Sequence, residues 1–282
     1  MIKLLRANLL RAIKSKTLWT WAIAYAIYAI CMPIFIKINN VDSSSMPEGI
    51  SDLLFAINYG LEGFPLQGVG VAIVTSIILG ADFHNGTLRN KIILGESRSN
   101  IYLSNLLTIM IVSIAFNVVY LLFFFCISMP MFGGFVGSAT TVLWFFLNGT
   151  LMMLAYASIT TLIIMSCKNS TAAIITAFAL LLIGMFVFLM CDNIIRAPEF
   201  IETEKLNEFG EIIQETVRNP QYPSPTKKAF LQFVIDLFPS GQSMQISSTA
   251  YTHNWQMALY SIGMIGATSG AGIFAFNKSN LK

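Results

Sequence analysis

Residues 101–128 read IYLSNLLTIMIVSIAFNVVYLLFFFCIS, an apolar run without a single charged side chain. A helix of roughly 20 apolar residues crosses the ~30 Å core of a bilayer, so this run is long enough to span it. In lipid it is stable only as a helix, because no solvent is there to satisfy an unpaired backbone N–H or C=O. Five further runs meet the same length: Leu18–Ile36, Phe64–Ala81, Thr141–Met165, Ala172–Met190 and Trp255–Phe276. None shows the period-two alternation of a barrel strand. Charged residues make up 11% of the chain and hydrophobic residues 55%, whereas a soluble domain carries about 25% charge. The expected fold class is an all-α polytopic membrane protein with six transmembrane helices.

The first run follows Lys3, Arg6, Arg11, Lys14 and Lys16, which is also how a secretory signal begins. The run is too long for a signal, however, and Met32-Pro33-Ile34-Phe35 follows it in place of small residues suited to cleavage, so it is expected to be retained. Counting Lys and Arg in the short loops then orients the bundle. With the N-terminus in the cytoplasm, the inner segments hold those five residues with Arg89, Lys91, Arg98, Lys168, Lys278 and Lys282, and the short outer loops hold only Lys37. Both termini are expected to be cytoplasmic.

Within this plan, residues 1–17 form a unit of their own. Ile2, Leu5, Leu9 and Ile13 recur at helical spacing with the basic residues on other faces. That pattern suits a helix lying in the interface against anionic headgroups; a plain basic flank that sets topology is the other reading. Residues 18–190 hold the first five spans, with a short helix expected at 86–95, and 255–282 hold the sixth span and a cytoplasmic tail. Residues 191–254 are the most acidic part of the chain and form an extracellular helical insertion. There Glu199, Glu202, Glu204, Glu208, Glu211 and Glu215 mix with Phe200, Leu206, Phe209, Ile212, Ile213 and Val217 between Pro198 and Pro220, which predicts an amphipathic helix. Pro225–Phe238 is a second predicted helix, ending at Pro239-Ser240-Gly241. The apolar faces of this cap would pack on each other, lie on the outer leaflet, or cover the mouth of a pathway.

Motifs of catalysis are absent. No Gly-x-x-x-x-Gly-Lys-Ser/Thr segment cradles a phosphate, and neither His-Glu-x-x-His nor Gly-x-Ser-x-Gly occurs. His84 and His253 fall on opposite sides of the membrane, and Cys31, Cys126, Cys167 and Cys191 lack metal-ligand spacing, so no metal site is expected. An outer disulfide among the cysteines stays open. The spans listed above contain no Asp, Glu, His, Lys or Arg to bind a coupling ion, which disfavours secondary active transport. They do carry Gln67, Thr75, Ser76, Asn117, Tyr120, Asn148, Tyr156, Ser158 and Thr160. Most of these would join helices by hydrogen bonds. Gln67, Thr75, Asn117, Tyr120, Asn148 and Tyr156 are candidates to line a path for an amphipathic solute.

The linker after the second span is the most specific feature. In Gly80-Ala81-Asp82-Phe83-His84-Asn85-Gly86-Thr87-Leu88-Arg89-Asn90-Lys91-Ile92-Ile93-Leu94-Gly95, Asn85-Gly86 is a turn pair, Thr87 suits a helix cap, and Gly95 suits a left-handed stop. Leu88 and Ile92 share a face of the two-turn helix between them. So short a helix is marginal alone. Its apolar face would dock in a partner's groove or rest on headgroups.

This linker, preceded by a basic interfacial helix and a first span, resembles the membrane subunit of an ABC-2 type ABC transporter, in particular bacterial permeases linked to bacitracin and lantibiotic resistance and to multidrug or peptide efflux. The six-span layout covers nearly the whole chain and the motif about one tenth of it. The resemblance implies that Thr87, Leu88, Arg89, Asn90, Lys91 and Ile92 form the coupling helix that sits on a nucleotide-binding subunit. It also implies two cytoplasmic ATPase subunits holding ATP and Mg, a second permease subunit, identical or homologous, and a place in the bacterial cell membrane, with no nucleic-acid partner. The expected function is export of an amphipathic or hydrophobic compound such as an antimicrobial peptide. Sodium, a lipid or a glycan as substrate, a non-transporting scaffold or signalling partner, and a membrane-embedded enzyme are the alternatives. The long segment before the last span departs from the family pattern.

Overall fold

A computed structural model describes residues 1–39, 49–58, 66–206, 212–247 and 253–279. Among these, five helices are long and apolar enough to cross a membrane: α2 (Lys16–Asn39), α6 (Arg98–Phe132), α7 (Ala139–Cys167), α8 (Ser170–Ile195) and α11 (Asn254–Lys278). The sixth is α4 (Leu66–His84), if it is counted together with α5 (Thr87–Ile93) across a 57° bend. The chain is thus a helical, multi-pass membrane protein.

Successive spans run antiparallel, so every second junction falls at the same end. At one end α1 (Ile2–Lys14) lies on the start of α6, where Asn8 Nδ2 donates to Asn105 Oδ1 at 2.8 Å and Asn105 Nδ2 approaches Met165 Sδ of α7 at 3.8 Å. Arg98, at the first turn of α6, donates to the carbonyls of Phe276, Asn277 and Ser279. That guanidinium satisfies the orphan carbonyls at the end of α11. The first and last described residues therefore share an end with Lys168 and the α4–α5 bend; Lys282 lies outside the described residues. At the opposite end Lys37 of α2 donates to the carbonyl of Met131 in α6.

Close approach of the helices uses glycine. A Cβ on Gly68 of α4 would lie 2.7 Å from the ring of Tyr156, and one on Gly272 of α11 would collide with Tyr102, as expected where bilayer helices associate by tight van der Waals contact.

One expectation for the 191–254 segment is corrected. Phe200–Leu206 and Ile212–Arg218 are antiparallel strands β1 and β2, paired from Phe200↔Arg218 to Leu206↔Ile212, where an amphipathic helix was expected. Glu208, Phe209 and Glu211 of that expected helix lie outside the described residues. Ile201, Thr203, Ile212, Ile213, Thr216 and Val217 are all β-branched, and that crowding at Cβ favours a pleated strand over a helix. The predicted helix from Pro225 does end at Pro239-Ser240-Gly241, and the same residues begin a further helix that was not expected. α9 (Pro225–Leu237) stops at Phe238, whose ψ of 132° is extended, as the residue before a proline tends to be. Pro239 then starts α10 (Pro239–Ser247), since its missing N–H costs nothing at a first turn. Residues 239–246 are all buried, and Gly241 lets α10 press onto the Ile235 carbonyl of α9.

A further helix, α3 (Ile50–Asn58), was not expected. Its Ile50, Leu53 and Leu54 are buried, and it packs on α10 and α6. The cap is thus partly built into the bundle, while β1 and β2 pair with each other.

Candidate functional site

The α4–α5 bend is organised by an acid that the sequence reading left outside the spans. Asp82 falls in the last turn of α4 and is fully buried. Its Oδ1 pairs with Arg11 of α1 and accepts from Thr87 Oγ1 at 2.8 Å; its Oδ2 faces Lys91 Nζ of α5 at 3.2 Å. The Lys91 ammonium also donates to Asn8 Oδ1 at 2.9 Å, and Asn8 reaches α6 through Asn105. Four helices meet in one hydrogen-bonded chain. The node holds two cations and one carboxylate, so it carries an excess positive charge.

Local geometry explains why the bend forms here. Gly86 takes the left-handed conformation (φ 64°) that a side chain would resist, and it occupies the cap position of α5. Thr87 does not cap the helix, as its residue type suggested; its hydroxyl is spent on Asp82. Gly95 does end α5, with φ 86°: its N–H donates to Ile92 O at 2.9 Å, and the Glu96 N–H donates to Lys91 O at 3.2 Å.

The faces of α5 are distributed differently from the expectation of a free apolar stripe. Leu88 is 2% exposed and belongs to the core of the chain, and Ile92 packs against that core. Arg89 and Asn90 are exposed, and so are Ile93 (73%) and Leu94 (82%). On α5 and its C-terminal end the exposed apolar residues are Ile93 and Leu94, beside those that α1 exposes at the same end (Ile2, Leu10 and Ile13). The run Ile92-Ile93-Leu94 was the available signal, because three consecutive apolar residues on a helix cannot all face one side. Arg11, Asn8 and Asp82 gave no comparable signal.

The candidate pathway residues are distributed among several helix contacts. Thr75 Oγ1 donates to Val71 O and meets Thr160 Oγ1 at 3.1 Å, joining α4 to α7. Asn117 and Tyr120 are buried on α6, where the Tyr120 ring lies 5.1 Å from that of Tyr25 and stacks on Phe124. Asn148 Nδ2 donates to Asn254 Oδ1 at 3.5 Å, linking α7 to α11. The Gln67 side chain lies outside the described residues. Tyr156 lines an apolar cavity of about 280 Å³ among α7, α8, α10 and α11. A second apolar cavity, about 230 Å³, lies among α2, α4 and α6 behind Trp21, Tyr25, Tyr28 and Phe116. All four cysteines are free.

Comparison with known proteins finds no family model and no curated sequence that matches this chain.

Proposed function

We propose that this chain is the membrane subunit of an ATP-driven exporter of the ABC-2 kind, which provides the pathway while a separate cytoplasmic ATPase binds ATP and Mg. The observation that carries the reading is the α4–α5 bend: a two-turn helix tied to α1 and α4 through Asp82 and to α6 through Lys91 and Asn8, with Arg89, Asn90, Ile93 and Leu94 turned outward. A force applied to those four residues would be passed through these contacts to α4 and α6. In this reading the end bearing the α1 cations and the α4–α5 bend is cytoplasmic, two such subunits with two ATPases form the working unit, and the apolar cavities favour a hydrophobic or amphipathic solute such as an antimicrobial peptide.

Affinity purification of this chain from its native membrane, with the co-purifying proteins searched for a subunit that binds ATP, tests the assignment, and the absence of any such subunit would count against it. An Ile93→Asp/Leu94→Asp variant should insert and purify normally while losing the ATPase. Retention of the ATPase at wild-type stoichiometry would remove the docking role of this surface.

A further inference from the structure

A second built site lies at the opposite end, in the cap. Asp236 of α9 is 2% exposed. Its Oδ1 accepts from Gln232 Nε2 at 2.8 Å and from Gln245 Nε2 of α10 at 2.9 Å, and Gln232 also donates to Gln245 Oε1 at 2.9 Å. Its Oδ2 faces His253 Nδ1 at 3.8 Å. The His253 contact is its one ion-pair contact among the described residues, and no Lys or Arg joins it; Arg196 pairs instead with Asp192 at 2.8 Å. A carboxylate so deeply buried is costly without an opposite charge.

The carboxylate forms part of the wall of an open cleft of about 380 Å³ among α8, α9 and α11. Phe233 and Tyr260 form another part, their rings edge to face with centroids 5.4 Å apart, and Gln256 adds an amide. Lys228 borders the cleft, but its ammonium is turned onto Tyr222, 4.3 Å from the ring centroid and 3.2 Å from the hydroxyl. A carboxylate beside aromatic rings is the surrounding that a positively charged nitrogen prefers, and the rings would also cover an attached carbon skeleton.

We infer that this cleft binds an organic ammonium ion, with Asp236 Oδ2 as its counter-charge and Phe233 and Tyr260 against its apolar part. The inference stands on the cleft and does not depend on the transport reading. The ammonium could belong to a free amine or to the ethanolamine headgroup of a lipid.

Calorimetry on the purified chain in nanodiscs, with phenethylammonium chloride and the neutral 2-phenylethanol as probes, decides it. In phosphatidylcholine discs the ammonium should bind at least tenfold more tightly than the alcohol. Asp236→Asn, which keeps an acceptor for both glutamines, should erase that difference, and Tyr260→Leu should weaken the ammonium several-fold. Should Asp236→Asn fail to fold, the ammonium-to-alcohol ratio of the unaltered chain and the Tyr260→Leu loss still give the answer. Phosphatidylethanolamine in the discs should weaken the free amine by competition if the headgroup is the natural occupant, and leave it unchanged if a soluble amine is. Equal affinity for the two probes, no saturable binding, or an ammonium affinity untouched by Asp236→Asn would overturn the inference.

Discussion

The Lys91 ammonium of α5 lies 2.9 Å from the Asn8 side chain of α1, 83 positions away in sequence, while its other contact, Asp82, has no exposed surface. The short helix after the bend is therefore locked to the N-terminal helix, and the lock has a buried acid at its centre. Coulomb attraction is strongest where water is excluded, and so is the penalty for an unmatched charge.

Asp82→Asn leaves Arg11 and Lys91 facing each other without a counter-charge. Stability should fall by about 3–5 kcal/mol, the usual loss on breaking a buried pair, and Lys91→Met in the same chain should recover part of it. Thermal unfolding in detergent measures both. A single variant that unfolds like the original would mean that the node is solvated and weak.

Leu88→Asp and Leu94→Asp should separate folding from docking. The first buries a charge in the core and should sharply reduce the yield of folded protein. The second touches solvent and should leave folding within about 0.5 kcal/mol, as surface changes do, while impairing association with the proposed ATPase. Similar yields for the two would contradict the burial of Leu88.

Gly272→Ala should cost about 1–3 kcal/mol, because the added methyl meets Tyr102 in a tightly packed contact. Tyr102→Leu in the same chain, which removes the ring from that position, should restore part of the loss. The check is a melting-temperature series, and additivity of the two changes would show that the residues do not touch.

Orientation can be read with single cysteines in a cysteine-free background. Glu202→Cys on β1 and Asn85→Cys at the bend are both exposed and lie at opposite ends. An impermeant thiol reagent on intact cells should label the first and spare the second. The reverse pattern would turn the protein over in the membrane.

Transport should follow ATP and ignore an imposed pH gradient. The spans offer no unpaired acid among the described residues, since Asp82 in the last turn of α4 is held between two cations. Liposomes containing this chain and the proposed ATPase, supplied with bacitracin-like or lantibiotic-like peptides or with sodium, provide the comparison. Peptide-stimulated hydrolysis is expected, and uptake driven by the gradient without ATP would refute the mechanism.

Residue order alone determined the spans, because a bilayer forces any long uncharged run to satisfy its backbone as a helix, and residues 101–128 allow little else. The turn at Asn85-Gly86, the stop at Gly95 and the helix from Pro225 were legible for a related reason: each depends on φ preferences and capping within a few residues. Tertiary structure decided what lay beyond that range. Asp82 read as a linker charge until Arg11, 71 positions away, was folded against it; Leu88 read as part of an exposed apolar face until folding buried it in the core. In the cap, Glu and Ile at mixed spacing suited a helix as well as a hairpin, and pairing between β1 and β2 settled the choice. Pro239 marked the end of α9, because local rules say where a helix cannot continue, but the helix that it begins was not legible, since the burial of α10 depends on α3, α7, α8 and α9 closing around it.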